Sequence, residues 1–486
     1  MQDTILVFCR NIRHAGLIAR TLRCREVPCL PVPFDTCCEQ ALSCQPRGII
    51  IAEDSFEADA LEGFDLSLLD CGLPVLALGA AAAALCRHFD GGVSDVHTER
   101  ALVTLHFSDD PLFAGIESGE QMLKGYAALT LSEALAPLAS AAEQVIGFKH
   151  SREDLPLYAM QYPIARNDPD AAQLLYNFAC GICGITPCWT DEKIIDHAIE
   201  SIRQAAPEGR VLCAVSGGVD SAVCARLASL AVGDRLTCVF VDTGLFRHGE
   251  PASVIRTYQE SASLCVQEVE ASDMFLRALS GVTVPADKER IASQLMTQVL
   301  IRQLGNDPEI RTIVMGTNFN DTLFGFAPPN ADKDKLPEGI SSCEPIRCLF
   351  KEEVRRIAGA LGLPAEMADR QPFPSSGLAL RVMSSVSAEK LHLLRMADAI
   401  FTEEITGGGY DRRLWQYYAT LLETPDRPDG YAVCLRATQA AQGSALAARI
   451  PFDVLERASQ RILEDMPDVK RVVYDLTPSA HYNELE

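Results

Sequence analysis

Short apolar runs, each closed by polar or glycine-rich residues, recur along the chain and alternate with amphipathic stretches. Thr4-Ile-Leu-Val-Phe8 reads as a buried strand, followed by a helical stretch from Ala15 to Leu22. Gly48-Ile-Ile-Ile-Ala52 and Leu73-Pro-Val-Leu-Ala-Leu78 are further short apolar strands. Strands of this kind alternating with helices predict a parallel α/β sheet. After Tyr158-Ala-Met-Gln-Tyr162 the pattern turns helical from Ala171 to Cys180, then meets Gly181, Pro187 and Trp189, which marks a domain boundary. A helix from Asp191 to Ala205 leads to Gly209, where a second α/β series opens with Arg210-Val-Leu-Cys-Ala-Val215. Its strands include Leu236-Thr-Cys-Val-Phe-Val241 and Thr312-Ile-Val-Met315, with helices over 219–231 and 350–361. Arg370-Gln-Pro-Phe-Pro-Ser-Ser-Gly377, dense in turn formers, marks a second boundary, beyond which helix and strand are mixed.

Composition narrows this picture. At roughly 150 residues per domain, 486 residues suggest about three domains. With 48% apolar and 22% charged residues the chain is globular, not disordered or fibrous. No uninterrupted apolar run is long enough for a transmembrane helix. The opening Met1-Gln2-Asp3-Thr4 lacks the basic start of a signal peptide, so a cytoplasmic protein is expected. Forty-three Lys and Arg against 66 Asp and Glu give a net charge of −23. Such a chain is no general binder of nucleic acid or anionic membrane, because phosphate binding rests on Lys and Arg. An anionic substrate must be held by backbone N–H groups, a metal and a few placed cations. The 18 cysteines are expected to be reduced thiols, mostly core residues. Cys180-x2-Cys183-x4-Cys188 resembles a fragment of a metal site, for which His197 is the nearest fourth ligand.

The most informative stretch is Val211-Leu-Cys-Ala-Val-Ser216-Gly217-Gly218-Val219-Asp220-Ser221, an apolar strand running through Ser-Gly-Gly into a helix. Glycines let the backbone fold closely around phosphate oxygens, and the new helix presents unpaired N–H groups and its positive dipole end. Ser216 and Ser221 add hydroxyl donors, and Asp220 can hold Mg²⁺ against the phosphates. The Lys and the four-residue spacer of a Walker loop are missing. A bare Gly-Gly would suit any strand–helix turn; Ser-Gly-Gly-Val-Asp-Ser after a strand is far more specific.

On these residues the sequence resembles the ATP-pyrophosphatase (PP-loop) group, and within it the GMP synthases. Leu236-Thr-Cys-Val-Phe-Val241-Asp242-Thr-Gly244-Leu-Phe-Arg247 resembles the family's second strand, whose end lies beside the adenosine. Gly316-Thr317 stands at the nucleotide-side turn, and Glu344-Pro345-Ile-Arg-Cys-Leu-Phe-Lys351-Glu-Glu353-Val-Arg355 is similar to the lysine-bearing helix near the pyrophosphate. Arg370 to Val382 resembles the domain junction; Val433-Cys-Leu-Arg436-Ala and Arg471-Val-Val-Tyr-Asp475 resemble the C-terminal dimerisation domain. The resemblance implies three α/β or α+β parts. These are a class I glutamine amidotransferase-like α/β domain over 1–188, a PP-loop ATP-pyrophosphatase α/β domain over 189–375, and a C-terminal α+β dimerisation and acceptor-binding domain over 376–486. It implies adenylation of a purine carbonyl, release of pyrophosphate, and displacement of AMP by ammonia, in a homodimer using ATP and Mg²⁺. Asp220 and Lys351 would then be catalytic. Ser216, Gly217, Gly218, Val219, Asp220, Ser221, Val241, Gly316 and Lys351 would hold ATP and pyrophosphate, and Arg381, Arg436 and Glu484 the acceptor.

The sequence also departs from the family. An amidotransferase domain needs a cysteine on a strand–helix elbow, with a His and a Glu to activate it. Gly79 stands at the cysteine position, followed by alanines; Pro163 replaces the His and Ala165 the Glu. Cys86 and His88 lie about two helical turns past the elbow and cannot occupy it. On the acceptor side, Pro328-Pro-Asn-Ala-Asp-Lys333-Asp-Lys335-Leu336-Pro337 replaces a histidine-bearing loop, and Pro374-Ser375-Ser376-Gly377 a Pro-Gly-Pro-Gly. The tail, Thr477-Pro478-Ser479-Ala-His481-Tyr-Asn-Glu484-Leu-Glu486, has no lysine after Lys470. Each lost charge-assisted hydrogen bond removes about 1.5–3 kcal/mol from binding of a phosphate. Lys333, Lys335, Arg381 and Arg436 are the candidates to compensate.

The expected activity is therefore an ATP-dependent C–N ligase without its own glutaminase, fed by ammonia from elsewhere. The alternatives are the same chemistry on another purine or heterocyclic carbonyl, or a non-catalytic regulatory paralogue. An RNA thiolase of the PP-loop group suits the cysteines but not the acidic surface.

Overall fold

The computed structural model describes residues 3–477 apart from 57–59, 124, 142, 153, 166, 263, 324–335, 369–370, 372, 374–375, 425–429 and 442–443. The chain forms two compact units, Met1–His197 and Ala198–Glu486. Both are mixed α/β, as the apolar strand pattern predicts.

In the first unit, five parallel strands lie in the order Cys29–Val32, Thr4–Phe8, Pro46–Glu53, Val75–Gly79 and Leu157–Met160. Thr4–Phe8 is buried at every position, which is why its sequence is apolar from Ile5 to Phe8 rather than alternating. An antiparallel extension continues the sheet through Gln144–His150, Leu135–Ala141, Ala101–Phe107 and Gly119–Leu123. The helix expected over 171–180 runs Pro169–Tyr176, started by Asp168, whose side chain accepts from the N–H groups of Asp170 and Ala171. It then widens into a π-turn over Asn177–Ile182. There the buried Asn177 amide donates to the carbonyls of Leu112 (2.9 Å) and Ala114 (2.8 Å), a tertiary demand that helical periodicity does not reveal.

In the second unit, the first sheet is fully parallel, ordered Val266–Glu270, Leu236–Asp242, Arg210–Val215, Ile310–Val314 and Ser341–Cys343. Arg210–Val215 is central and flanked on both sides. The second sheet pairs Gln416–Glu423, Tyr431–Ala441 and Ser444–Ala447 antiparallel, with Val469–Tyr474 parallel to Tyr431–Ala441. Helices Ala388–Gly407 and Phe452–Asp465 pack with it. One apolar cluster runs through both sheets, from Leu212, Val239 and Ile313 to Leu394, Ala419 and Val433. Leu378, Ala379 and Val382, just past Gly377, belong to this same core.

Candidate active site

The phosphate-type loop leaves the carboxyl end of the central parallel strand, where open α/β sheets present their ligand crevices. Gly217 sits at φ +80°, a conformation that a side chain would strain. Gly218 ends the loop, and helix Val219–Val232 starts with no side chain capping it. A helix start of this kind has the geometry that suits an anion. The loop is braced from within. Ser221 Oγ donates to the Gly218 carbonyl at 2.9 Å and accepts from the Ser216 N–H at 3.2 Å. The Ser216 hydroxyl lies 3.2 Å from it, and the Tyr258 hydroxyl 3.3 Å. Tyr258 is fully buried on helix Glu250–Ala262, and burial raises its phenol above the usual range. The sequence carried no signal for this brace.

Lys351 is the first residue of helix Lys351–Ala360, and its ammonium group donates to Asp220 Oδ2. The two residues the sequence pairs as catalytic thus meet across 131 positions of chain. The other oxygen, Asp220 Oδ1, is buried and makes no hydrogen bond among the described residues. A second carboxylate belongs to the same neighbourhood. Asp321 is pushed above its ordinary value, chiefly by burial, with the negative charge of Asp220 adding to it and Lys351 and Arg347 opposing. Its Oδ2 accepts the Asn318 N–H at 2.8 Å, which fixes the turn after Ile310–Val314. Asp321 was missed in the sequence; an acidic residue five positions after Gly316 was the available signal. An unpaired carboxylate oxygen with a second carboxylate nearby fits a hard divalent cation such as Mg²⁺. Gly316 approaches the same helix so closely that a Cβ there would lie 3.2 Å from the Ser221 nitrogen and 3.3 Å from the Asp220 carbonyl carbon. Val241 packs into the core, leaving only its backbone to face a nucleotide.

Beside the loop, the neighbouring strand end shapes a cavity of about 390 Å³ lined by Asp242, Gly244, Arg247, His248, Ser272 and Arg395. Arg395 donates to the carbonyls of Gly244 and Phe246, fixing the turn that carries Arg247.

The acceptor candidates fare differently. Arg381 is not at a surface: it is 0% exposed, 4.3 Å from the Tyr418 ring centroid and 5.1 Å from that of Phe373. Asp398 lies 3.5 Å away and is shared with Arg247 at 3.0 Å. Burial lowers the Arg381 guanidinium to about 10, against the pull of Asp398. Among the described residues the structure thus places this acceptor candidate inside the unit, enclosed by Phe373 and Tyr418. Arg436 is mostly buried and ion-paired with Asp475, and also donates to the Thr477 carbonyl at 3.1 Å. Lys333, Lys335, Ser375 and Glu484 lie outside the described residues.

In the first unit, Gly79 ends its strand at φ 65°, ψ −131° and helix Ala80–His88 begins at once, so a sharp elbow is present. A Cβ on Gly79 would meet the Glu53 carbonyl oxygen at 2.4 Å. Leu78 pairs with Met160, so the segment carrying Pro163 and Ala165 leaves the same sheet edge; Pro163 is half-buried and Ala165 exposed. Cys86 is fully buried, its thiol directed at the carbonyls of Gly92 (3.6 Å) and Thr130 (3.7 Å) and raised in pKa by burial. The Cys180 to Cys188 cluster gains no ligand set: Cys183 Sγ packs against Gly48, Cys188 is exposed, and no three metal-ligating side chains converge among the described residues.

The family model for NAD synthase matches residues 192–385, and that for the GMP synthase C-terminal domain matches residues 403–481. A protein named GMP synthase [glutamine-hydrolyzing] from Carboxydothermus hydrogenoformans is 34% identical over 500 residues, covering 98% of each chain. Proteins of the same name from Geobacillus kaustophilus and Caldicellulosiruptor saccharolyticus are 34% and 35% identical, again over 98% of each chain. A solved GMP synthase subunit protein from Thermoplasma acidophilum aligns at 23% identity and a TM-score of 0.33, covering 38% of this chain and 95% of that one.

The burial of Arg381 generates a direct test. Arg381→Ala strands part of the Asp398 charge in the core and should destabilise the protein by about 3–5 kcal/mol in urea denaturation. An unchanged unfolding midpoint, with only the acceptor KM raised, would show a ligand-binding role in place of a structural one.

Proposed function

The chain belongs to the GMP synthase family, whose PP-loop ligases are ATP-dependent, and we propose that it aminates a purine carbonyl with ammonia its own N-terminal domain does not make. The acceptor in this reading is XMP or a close relative. The observation that carries the proposal is the Ser216–Ser221 loop at the end of the central strand, with Lys351 drawn onto Asp220.

In the proposed reaction the loop N–H groups and the start of helix Val219–Val232 bind the ATP phosphates. The acceptor carbonyl oxygen attacks the α-phosphorus, and the bond to pyrophosphate breaks. Lys351 offsets the charge that develops on the departing pyrophosphate. Ammonia then attacks the activated carbon, AMP leaves with the former carbonyl oxygen, and two protons are lost, one from the ring N–H and one from the ammonia nitrogen. Asp220, with Asp321 near it, would hold Mg²⁺, which when bound supplies positive charge to the phosphates. The parts 1–188, 189–375 and 376–486 would serve as scaffold, nucleotide domain and acceptor domain of a homodimer.

Loss of the glutaminase is supported by Gly79, Pro163 and Ala165, and by the Glu53 carbonyl that blocks a side chain at the elbow. A second reading, an acceptor other than XMP, is favoured by the ion pairs that already occupy Arg381 and Arg436.

Three outcomes are expected. Wild-type protein with ATP, ammonium and acceptor should release AMP and pyrophosphate, and Asp220→Ala should lose turnover while keeping its unfolding midpoint; ADP and phosphate as products would refute the mechanism. Glutamine should yield no glutamate above background in wild type, Cys86→Ala or Gly79→Cys, and release by any of them would place a working nucleophile in the first unit. If XMP is the acceptor, Arg436→Ala should raise its KM about tenfold with a smaller change in kcat. An unaltered KM, or no turnover of XMP by wild type, would favour an acceptor without the phosphate.

A further inference from the structure

Several cysteines play no part in the chemistry above, and they are not evenly placed. Cys37, Cys38, Cys44 and Cys71 belong to two neighbouring elements of the first unit, helix Cys38–Ser43 and the turn Leu66–Asp70, or flank them. One carboxylate ties these elements together. Asp65 Oδ2 accepts the Cys38 N–H at 2.8 Å, while Oδ1 accepts the Ser67 N–H at 3.1 Å and its hydroxyl at 2.6 Å. The start of the helix is thereby fixed against the turn. As a result the sulfurs of Cys38 and Cys71, 33 residues apart in sequence, lie 3.1 Å from one another. A shift of about 1 Å would bring them to the ~2.05 Å of an S–S bond. Both residues are partly exposed, so a small oxidant can reach them. The neighbouring thiol of Cys44 is directed instead at the Gln40 carbonyl.

We propose that Cys38 and Cys71 form a reversible redox pair, oxidised by a low-molecular-weight disulfide of the glutathione class. One cysteine, as its thiolate, attacks a sulfur of that disulfide, forming a mixed disulfide and releasing one thiolate. The second cysteine loses its proton to solvent, attacks the protein sulfur of the mixed disulfide and expels the second thiolate. Two cysteine thiols thus lose two electrons and two protons, and the small disulfide gains both to become two thiols. Burial, and then the contact with Cys38, pushes the Cys71 thiol up to about 11, so its thiolate is scarce at neutral pH. Contact between the sulfurs compensates, because attack within a preset pair proceeds at very high effective concentration. Closure should accordingly quicken as pH rises toward 11, as the attacking thiolate becomes more abundant. The pair needs neither ATP nor an acceptor, so it stands whether or not the ligase reading holds.

The test uses the full, reduced chain in buffers of reduced and oxidised glutathione, quenched by alkylation and digested with trypsin. Cleavage at Arg25, Arg47 and Arg87 puts Cys38 in the peptide 26–47 and Cys71 in the peptide 48–87. The expected product is this linked peptide pair, with fragmentation assigning the bond to Cys38 and Cys71. It should disappear with dithiothreitol, persist in Cys37→Ser and Cys44→Ser, and form faster at pH 9 than at pH 7. Absence of the linkage in wild type at every glutathione ratio would overturn the proposal. So would a bond from Cys37 or Cys44 to Cys71 in its place, or a glutathione adduct that never closes.

Discussion

Buried cations that hold carbonyl oxygens join the two sheets of the second unit, and the site geometry rests on them. Lys288, on helix Pro285–Asn306, is 1% exposed and donates to the carbonyls of Ala379 (3.1 Å), Val382 (2.5 Å) and Ser384 (2.7 Å). An ammonium group has three donors, and here all three are used. Burial, with Lys390 nearby, still pulls Lys288 down to about 8, so the carbonyl dipoles only partly replace lost water. Arg395 does the same for the turn after Leu236–Asp242, and Asp398 gathers Arg247 and Arg381 between them. The backbone that carries Arg381 and the turn that carries Arg247 are therefore set by hydrogen bonds from neighbouring helices. Apolar packing alone would have left both segments free to slide.

In the proposed reading a chain of net charge −23 has to meet a polyphosphate. Long-range attraction is not available, so recognition must be local and prepared in advance. The loop supplies dipoles fixed by Ser216, Ser221 and Tyr258, and Lys351 supplies one cation already drawn toward Asp220. Such a site needs few positive residues because its donors require little reorganisation.

Much of this was legible in the sequence, for a physical reason. Strands buried on both faces are rich in apolar residues, so the runs Ile5–Phe8 and Val211–Cys213 marked the strands Thr4–Phe8 and Arg210–Val215. The loop was legible because a positive φ at Gly217 and an uncapped helix start each demand particular residue types. The burial of Arg381 was not legible because sequence shows a charge but not its surroundings; Phe373 and Tyr418, which enclose it, come from separate segments. Lys288 and Tyr258 were invisible for the same reason, since each acts through partners remote in the chain. Asp321 was within reach, but a single carboxylate in a turn rich in Asn has an ordinary capping explanation.

The elbow at Gly79 shows how local backbone geometry selects a residue type. A non-glycine residue at φ 65°, ψ −131° would carry local strain of order 1–3 kcal/mol. It would also have to displace the Glu53 carbonyl, which belongs to the neighbouring strand of the sheet. Glycine removes both penalties at once, and the strand before it remains buried against Pro46–Glu53 and Leu157–Met160. The alanines that follow pack into the same apolar cluster as Leu6, Ile49 and Phe148. A side chain at this position would have to be held in a strained turn, as nucleophile elbows are, whereas glycine needs no such strain. Glycine at the elbow and the alanines after it therefore favour the packing of the first unit over a side chain at that position.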